Sequence, residues 1–549
     1  MKTMDQAQAF NFKQSLYPEK NRIFILLLSL LFILSACKVR LPSEEIAENI
    51  WYINNELNIA LKFDSFSKGQ YISTQKAIAE EQSFTKKQSG KKVVFKFKDL
   101  PQIRGKITTL YGKFYIQTKD QIFEFRQYST KAFPKPPYRY KNILFSEHEI
   151  NEVEYGRASG YYSSKPIEKR ENKNYTQVIF NVAEGITTNI SKKIIPLSMD
   201  IYEPKDDTVL NRPLIVLLHA GAFIAGDKRD ELVSKLAMEY AQRGFVVASV
   251  NYRLGYIFLP GMYSNLERAI YSAVQDVRAA LRYLSHNQDT YRIDPDMIFI
   301  GGNSAGGFLS LYTAFMDDTE IWPSVAGSTI RMQSDLGCLD CSTNDLTGPF
   351  KIMGAINMWG AIDDLAIIKP QDQIPVLSIH GDHDQVVAYG YDFPFANVST
   401  RVSSFFSKKM YGSASIDEYA ESIGMNHSLF TFKGLEHEPH FDENNQLIDE
   451  NYEIIKNLIL NFINEQFIPP TKIVHGPQYL SRYDLAAEYW IEQEQYKEHY
   501  FSCENCLILS QTPNSAKIVW IAGSDKHQLF IAGIGKYGQV YIDTLNVRF

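Results

Sequence analysis

The spacing of apolar residues changes character along the chain, and each change marks a different kind of element. Between Leu41 and Asn151 apolar and polar residues alternate, as in Val93-Val94-Phe95-Lys96-Phe97, Lys113-Phe114-Tyr115-Ile116-Gln117 and Gln121-Ile122-Phe123-Glu124-Phe125. Successive side chains of a strand point to opposite faces, so period-two runs predict an antiparallel sheet with one buried face. From Glu152 to Gln466 the rhythm differs. Leu214–Leu218 is wholly apolar, as a strand covered on both faces requires, and Phe245–Val250 reads the same way. Asp230–Arg243 has helical character between them. Ala269, Ala273, Val277, Ala280, Leu281 and Leu284 recur at three- and four-residue spacing, which predicts an amphipathic helix. Further strands are expected at Met297–Ile300, Ala355–Met358, Val376–His380 and Leu429–Phe432, with helices at Ala305–Met316 and Tyr452–Phe462. Strands alternating with helices predict an α/β domain with a mostly parallel sheet under two layers of helix. Pro469-Pro470 then breaks the chain. Lys517–Ile521, Gln528–Ile531 and Gln539–Asp543 are short β-rich runs separated by turns, which predicts a small C-terminal β-sandwich. The expected organisation is a leader over 1–36, a β-rich N-terminal domain over 37–151, an α/β domain over 152–468 and the β-sandwich over 471–549.

Lys20 and Arg22 precede an apolar run, Ile23–Leu34, which is too short to span a bilayer as a helix of about 20 residues. A basic flank, a short apolar run and small residues after it read as a secretory signal. Leu34-Ser35-Ala36-Cys37 resembles the lipobox of bacterial lipoproteins, which implies cleavage before Cys37, a lipid on its sulfur, and a membrane-anchored protein in the periplasm or at the cell surface. Four cysteines remain, in two Cys-x-x-Cys pairs, Cys338/Cys341 and Cys503/Cys506. A shared four-thiolate zinc site is the alternative, but the pairs lie far apart and lack the turn glycines of a zinc ribbon. In an oxidising compartment two local disulfides are the expectation. The net charge of −6 is mild, and lysine and arginine are scattered, so nucleic acid is not an expected partner.

The candidate chemistry sits where predicted strands end. Gly302-Asn303-Ser304-Ala305-Gly306 follows one strand and precedes a helix. A serine hydroxyl needs exposure, orientation and a base, and a tight strand-to-helix turn with small flanking residues supplies the first two. His219-Ala220-Gly221-Ala222-Phe223 ends the apolar run Leu214–Leu218. His380-Gly381-Asp382-His383-Asp384 follows a buried strand, and Gly434-Leu435-Glu436-His437 follows the last one. Ser304, Asp384 and His437 are thus the candidates for nucleophile, acid and base, with Asp382 and Asp363 as rival acids and His440 as a rival base. His219 is expected to order its loop. The chain order Ser, Asp, His is that of the α/β-hydrolases.

Residues from about Leu197 to Phe462 resemble the exported carboxylesterase branch of the α/β-hydrolases, including its hormone-sensitive-lipase-like and feruloyl-esterase-like members. The resemblance rests on Met199-Asp200-Ile201-Tyr202-Glu203-Pro204, the His219 loop, Asn251-Tyr252-Arg253-Leu254, Gly302–Gly307, and the Asp384 and His437 segments. It implies a carboxylic ester hydrolase working through an acyl-enzyme on Ser304, with an oxyanion hole from the amides of Ala305 and Gly221 or Ala222, and with no metal and no organic cofactor. Ala220 and Ala222 depart from the His-Gly-Gly-Gly type of loop, which leaves open which loop amide donates. The expected substrate is an ester, small or linked to a polysaccharide. Two insertions, Asp317–Phe350 and Val386–His427 with Tyr389, Tyr391, Phe393 and Phe395, are placed to shape a pocket or to pack as a lid. A serine exopeptidase of the same fold and an inactive binding lipoprotein are the alternatives.

Overall fold

The computed structural model describes residues 51–549, apart from 161–192, 257–262, 395–407, 467–473 and scattered gaps of one to four residues. The leader expected over 1–36 and Cys37 lie outside the described residues.

The N-terminal alternation produces eight antiparallel strands between Trp51 and Gln127. They form a closed barrel because Tyr52 and Ile53 of the first strand pair with Gln127 and Arg126 of the last. The one-face-buried sheet expected from the alternation therefore curls until its apolar face meets itself. Tyr52, Phe63, Phe84, Phe95, Phe114 and Phe125 fill the inside, mostly edge to face, with Phe114 stacked on Phe125 at 4.5 Å. Closure removes both sheet edges. It joins residues some 75 positions apart, a pairing that local periodicity does not encode.

The C-terminal residues form two sheets. One contains Val474–His475, Ala487–Ile491, Ser515–Ile521 and Cys506–Gln511; the other contains Tyr496–Cys503, Gln528–Gly535 and Val540–Asn546. Tyr489 and Trp520 from the first share a buried cluster with Phe501 and Ile531 from the second. The barrel is fastened to this unit. The two-residue strand Ile78–Ala79 pairs in parallel with Trp520–Ile521. Ile53, Ala60, Ile72 and Ala79 then share a buried cluster with Ala486, Leu507 and Val519. The chain's two β-rich ends are thus packed on each other, a contact the sequence pattern did not announce.

Between them lies an eight-stranded mixed sheet: β1 (His148–Gly160), β2 (Lys193–Pro204), β3 (Arg212–Leu218), β4 (Val246–Val250), β5 (Ile293–Asn303), β6 (Ile352–Met358), β7 (Val376–Gly381) and β8 (His427–Phe432). The order is β1-β2-β4-β3-β5-β6-β7-β8, with β2 antiparallel to both neighbours and every later pair parallel. The boundary expected at 151 falls inside β1. The first half of β1 is polar and lies on the exposed edge of the sheet, so no apolar run marked it. Helices α1 (Glu231–Ala241) and α5 (Asp449–Glu465) cover one face, burying Leu236, Tyr240, Ile455 and Ile459. Helices α2 (Ser264–His286), α3 (Ala305–Phe315) and α4 (Ser413–Ser422) cover the other. The stripe from Ala269 to Leu284 is buried along α2, as its spacing predicts.

Candidate active site

Because β3 and β5–β8 run parallel, their C-terminal ends share one edge of the sheet, where loops can bring distant residues together. Ser304 stands at the junction of β5 and α3 with φ 54° and ψ −117°, a conformation an L-residue seldom adopts. Its N–H donates to the Met358 carbonyl at 2.9 Å, tying the turn to the end of β6. The flanking glycines are sterically required. A Cβ on Gly302 would lie 2.5 Å from the Leu218 carbonyl oxygen, and one on Gly306 would lie 2.1 Å from the same atom. The turn is pressed against the end of β3.

His437 lies in the loop after β8 with Nε2 3.0 Å from Ser304 Oγ; its Nδ1–H donates to Asp384 Oδ2 at 2.6 Å. Ser304, His437 and Asp384 are therefore joined in a line, and each is less than a tenth exposed. Asp384 Oδ1 accepts the N–H groups of Val386 at 2.7 Å and Val387 at 2.9 Å. Burial alone would raise the Asp384 pKa, but the facing His437 and His380 overcome it and hold the carboxyl well below its ordinary value. The group is an anion placed against one imidazole edge.

One partner of that anion was not singled out from the sequence. His380, the last residue but one of β7, points Nε2 at Asp384 Oδ2 from 3.0 Å, and Ser413 Oγ lies 2.8 Å from its Nδ1. The Asn357 side-chain amide donates to Ser413 Oγ at 3.1 Å, while its oxygen accepts Gly360 N–H at 2.9 Å. A buried chain of hydrogen bonds thus runs from β6 through α4 to the acid. The histidine opening His-Gly-x-x-Asp, one residue before a glycine at a strand end, was the available signal.

The loop after β3 is equally constrained. Gly221 has φ 119°, and a Cβ there would meet the Ala225 carbonyl oxygen at 2.0 Å; Ala222 and Phe223 follow with φ 53° and 60°. Ile224 and Ala225 N–H both donate to the Gly221 carbonyl, closing a tight turn. Asn251-Tyr252-Arg253 holds this loop in place. The Tyr252 hydroxyl donates to the His219 carbonyl at 2.8 Å, Asn251 Oδ1 accepts Lys228 N–H at 2.6 Å, and Arg253 pairs with Asp276 of α2 at 2.8 Å. His219 stacks on Tyr252 at 4.3 Å, and its Nδ1 contacts the Ala220 carbonyl at 2.7 Å. Burial lowers its pKa to about 4. It is a neutral ring held by Tyr252 and the Ala220 carbonyl, as a loop-ordering residue would be. Ala305 is the first residue of α3, so its N–H has no carbonyl one turn earlier to meet.

The rival residues have other partners. Asp382 accepts Gly434 N–H at 2.6 Å. Asp363 accepts from Tyr312 at 2.5 Å and Trp322 at 2.9 Å and pairs with Lys408. His440 stacks on Trp359 at 5.3 Å. The insertion 317–350 is strapped to α2: Arg268 donates to the carbonyls of Ser324 and Ser334, Gln275 to those of Leu336 and Cys338, and Tyr271 to that of Gly337. In the second insertion Tyr389 bonds Thr431 at 2.7 Å and Tyr391 stacks on Tyr411 at 4.3 Å; Phe395 lies outside the described residues. Cys338 is joined to Cys341 and Cys503 to Cys506, the latter pair linking the two C-terminal sheets. Among the described residues no group of three or more His, Cys, Asp or Glu side chains is disposed to hold a metal.

Comparison with known proteins adds independent findings. The BD-FAE family model matches residues 199–371, from β2 through β6. The chain is 31% identical over 293 residues to the cAMP-regulated D2 protein of Dictyostelium discoideum, covering 46% of this chain and 52% of that one. It is 36% identical over 155 residues to carboxylesterase 3B of Mus musculus, covering 26% of each. Among solved structures, Thermogutta terrifontis esterase 2 phosphorylated by paraoxon aligns at 18% identity with a TM-score of 0.35, over 51% of this chain and 92% of that one. The chain thus spans about half the length of the first of these curated relatives and about a quarter of the second.

Proposed function

We propose that the central domain of this chain, which belongs to the α/β-hydrolase esterase superfamily, hydrolyses carboxylic esters through an acyl-enzyme on Ser304. The observation that carries the reading is the line Ser304 Oγ–His437 Nε2, His437 Nδ1–Asp384 Oδ2, at 3.0 and 2.6 Å, at a strained strand-to-helix turn. Ser304 Oγ attacks the ester carbonyl carbon as His437 Nε2 takes the hydroxyl proton. Asp384 holds Nδ1–H in place and stabilises the imidazolium that forms. The carbonyl oxygen becomes an oxyanion met by the N–H of Ala305 and that of Gly221 or Ala222. Its collapse breaks the bond to the alkoxy oxygen, which leaves as the alcohol with the proton from His437. Water then loses a proton to His437 as it attacks the acyl carbon, and the acid departs while the proton returns to Ser304. No metal or cofactor enters these steps. The left-handed residues 221–223 and the pinned Asn251-Tyr252-Arg253 segment support a preformed oxyanion site, since strain of this kind persists where surrounding contacts impose it.

The substrate is a carboxylic ester, small or carried on a polysaccharide. Cys37 carries a lipid that holds the protein at a membrane outside the cytoplasm. Turnover of p-nitrophenyl acetate, p-nitrophenyl butyrate and a feruloyl ester, set against an aminoacyl-p-nitroanilide, tests the reaction class. Hydrolysis of an ester by the wild-type chain and its loss in Ser304→Ala is expected. Cleavage of the anilide with all esters untouched identifies an exopeptidase, and a folded chain inert on every substrate refutes hydrolysis.

A further inference from the structure

Charge is distributed unevenly over this molecule. The whole chain is acidic by six charges, yet the stretch 51–127, within which the barrel strands lie, holds 14 Lys and Arg against seven Asp and Glu. Half of those cations fall between Lys87 and Lys106, where Asp99 is the single acid. Lys87, Lys91, Lys92, Lys96, Lys98, Arg104 and Lys106 are all exposed.

Strand register puts five of them on one surface. On Gln82–Ser89, Lys92–Phe97 and Ile103–Leu110 the inward positions include Phe84, Val93, Phe95 and Ile107. The outward positions therefore carry Lys87, Lys92, Lys96, Arg104 and Lys106. Lys92 is directly opposite Lys106; Lys87 and Arg104 flank Val94 in the adjacent row. Neighbouring strands stand about 4.8 Å apart, so these cations crowd into a patch only a few strand spacings across. None of the five forms an ion pair among the described residues, unlike Lys62, which meets Glu81, and Lys113, which meets Glu124. Like charges directly opposite on a sheet destabilise it. Barrel folding does not call for this arrangement.

The patch also faces outward. The barrel meets the C-terminal sheets through Ile53, Ala60 and Ile72, on strands Trp51–Asn54, Ile59–Ser65 and Lys68–Ser73. Around the barrel, Ile103–Leu110 is four strands from Ile59–Ser65 in either direction, the opposite side. We propose that this basic face docks the protein on an anionic bilayer, its cations meeting the phosphate groups of the lipid heads. The face has the chemistry of a charge-only contact. Four of the five are lysines, compact charges on flexible stems, with one forked guanidinium. The outward positions of the three strands carry no aromatic ring on which a sugar or base could stack. Thirteen residues separate Cys37 from Trp51, and at about 3.5 Å each they allow a lipid-anchored chain to lay the barrel on the same membrane. Ester hydrolysis and membrane docking are independent, since no residue of the patch touches the Ser304 site.

Co-sedimentation with vesicles tests the proposal, using the chain from residue 37 onward with Cys37→Ser, so that neither an attached lipid nor the apolar run Ile23–Leu34 with its basic flank contributes. Vesicles of phosphatidylcholine alone are compared with vesicles that also contain phosphatidylglycerol. A juxtamembrane cation contributes about 1 kcal/mol near an anionic surface, or about fivefold in partitioning. The variant with Lys87, Lys92, Lys96, Arg104 and Lys106 all changed to Gln should lose on the order of 10³-fold in affinity for the anionic vesicles. Its affinity for neutral vesicles and its ester turnover should not change, and its unfolding temperature should not fall, since the substitutions remove like charges set opposite one another. Binding by the parent should also collapse between about 0.1 M and 1 M salt, where the screening length falls from about 10 Å to 3 Å. That salt test stands even if the quintuple variant misfolds. Equal binding to both vesicle types, or salt-insensitive binding, overturns the proposal. So does tighter, patch-dependent binding to polygalacturonate, which would make the partner an acidic polysaccharide.

Discussion

Replacing Asp384 by asparagine exchanges one oxygen for an NH2 group and leaves volume and shape intact, so it reverses a hydrogen-bond direction and removes the negative charge without opening a cavity. The carboxylate accepts four hydrogen bonds: Val386 and Val387 N–H on Oδ1, and the His437 and His380 rings on Oδ2. If the new NH2 takes the Oδ1 position it faces two backbone donors that cannot reverse. Two buried unsatisfied donors cost about 2–6 kcal/mol together. If it takes the Oδ2 position, the histidines can respond by changing tautomer, which is the cheaper outcome. His437 then accepts at Nδ1 and carries its proton on Nε2, facing Ser304 Oγ 3.0 Å away. A protonated Nε2 cannot receive the serine proton. The expected loss in kcat is about 10⁴, the scale found when the same exchange is made in a serine-protease triad, or about 5.5 kcal/mol of transition-state stabilisation. KM for p-nitrophenyl butyrate should move little, because the acid touches no substrate. Stopped-assay turnover with thermal unfolding as the folding control measures it. A kcat within tenfold of wild type in a folded Asp384→Asn protein would refute the assigned tautomer and the role of the acid.

The rest of the site yields further expectations. His380→Phe keeps a ring in place but removes one donor from Asp384 and the acceptor from Ser413 Oγ; kcat should fall about 10- to 100-fold, since a hydrogen bond to a charged group is worth about 1.5–3 kcal/mol, and His380→Gln should recover part of it. Gly306→Ala drives a Cβ to 2.1 Å from the Leu218 backbone oxygen, so it should destabilise the central domain by on the order of 3 kcal/mol and depress turnover. Gly390→Ala, which meets nothing within 4 Å, should leave both unchanged. His219 has its pKa lowered by burial to about 4. The unfolded chain therefore takes up a proton near pH 6.5 that the folded chain refuses until about pH 4. Stability should be intact above pH 6.5 and decline as pH falls toward 4, by about 1.4 kcal/mol per pH unit at most. His219→Gln should flatten that part of a denaturation-versus-pH profile.

Much of the central domain could be read from spacing because its strands are buried on both faces and its helices on one. Leu214–Leu218 and the Ala269–Leu284 stripe carry their environment in their composition. Ser304, Asp384 and His437 were legible for a related reason: each follows a recognisable strand end, and strand ends on one edge of a parallel sheet are neighbours. β1 was not legible, because an edge strand half exposed to water has no apolar run. Barrel closure and the docking of Ile78–Ala79 beside Trp520 were not legible either, since both pair residues that are distant in sequence and neither leaves a local mark. His380 was read only as part of the segment that supplies the acid. Its role depends on which way its ring faces, and that is settled by Ser413 on α4, over thirty residues away.

The most direct test of Ser304 as the acyl-accepting group is covalent. The folded chain is treated with a fluorophosphonate probe, which phosphonylates a serine only where a neighbouring base takes its proton, and the modified peptide is sequenced by mass spectrometry. A single adduct on Ser304, lost in Ser304→Ala and strongly slowed in His437→Ala, is the predicted result. No adduct on a folded chain that turns over esters, or an adduct on a different serine, would contradict it.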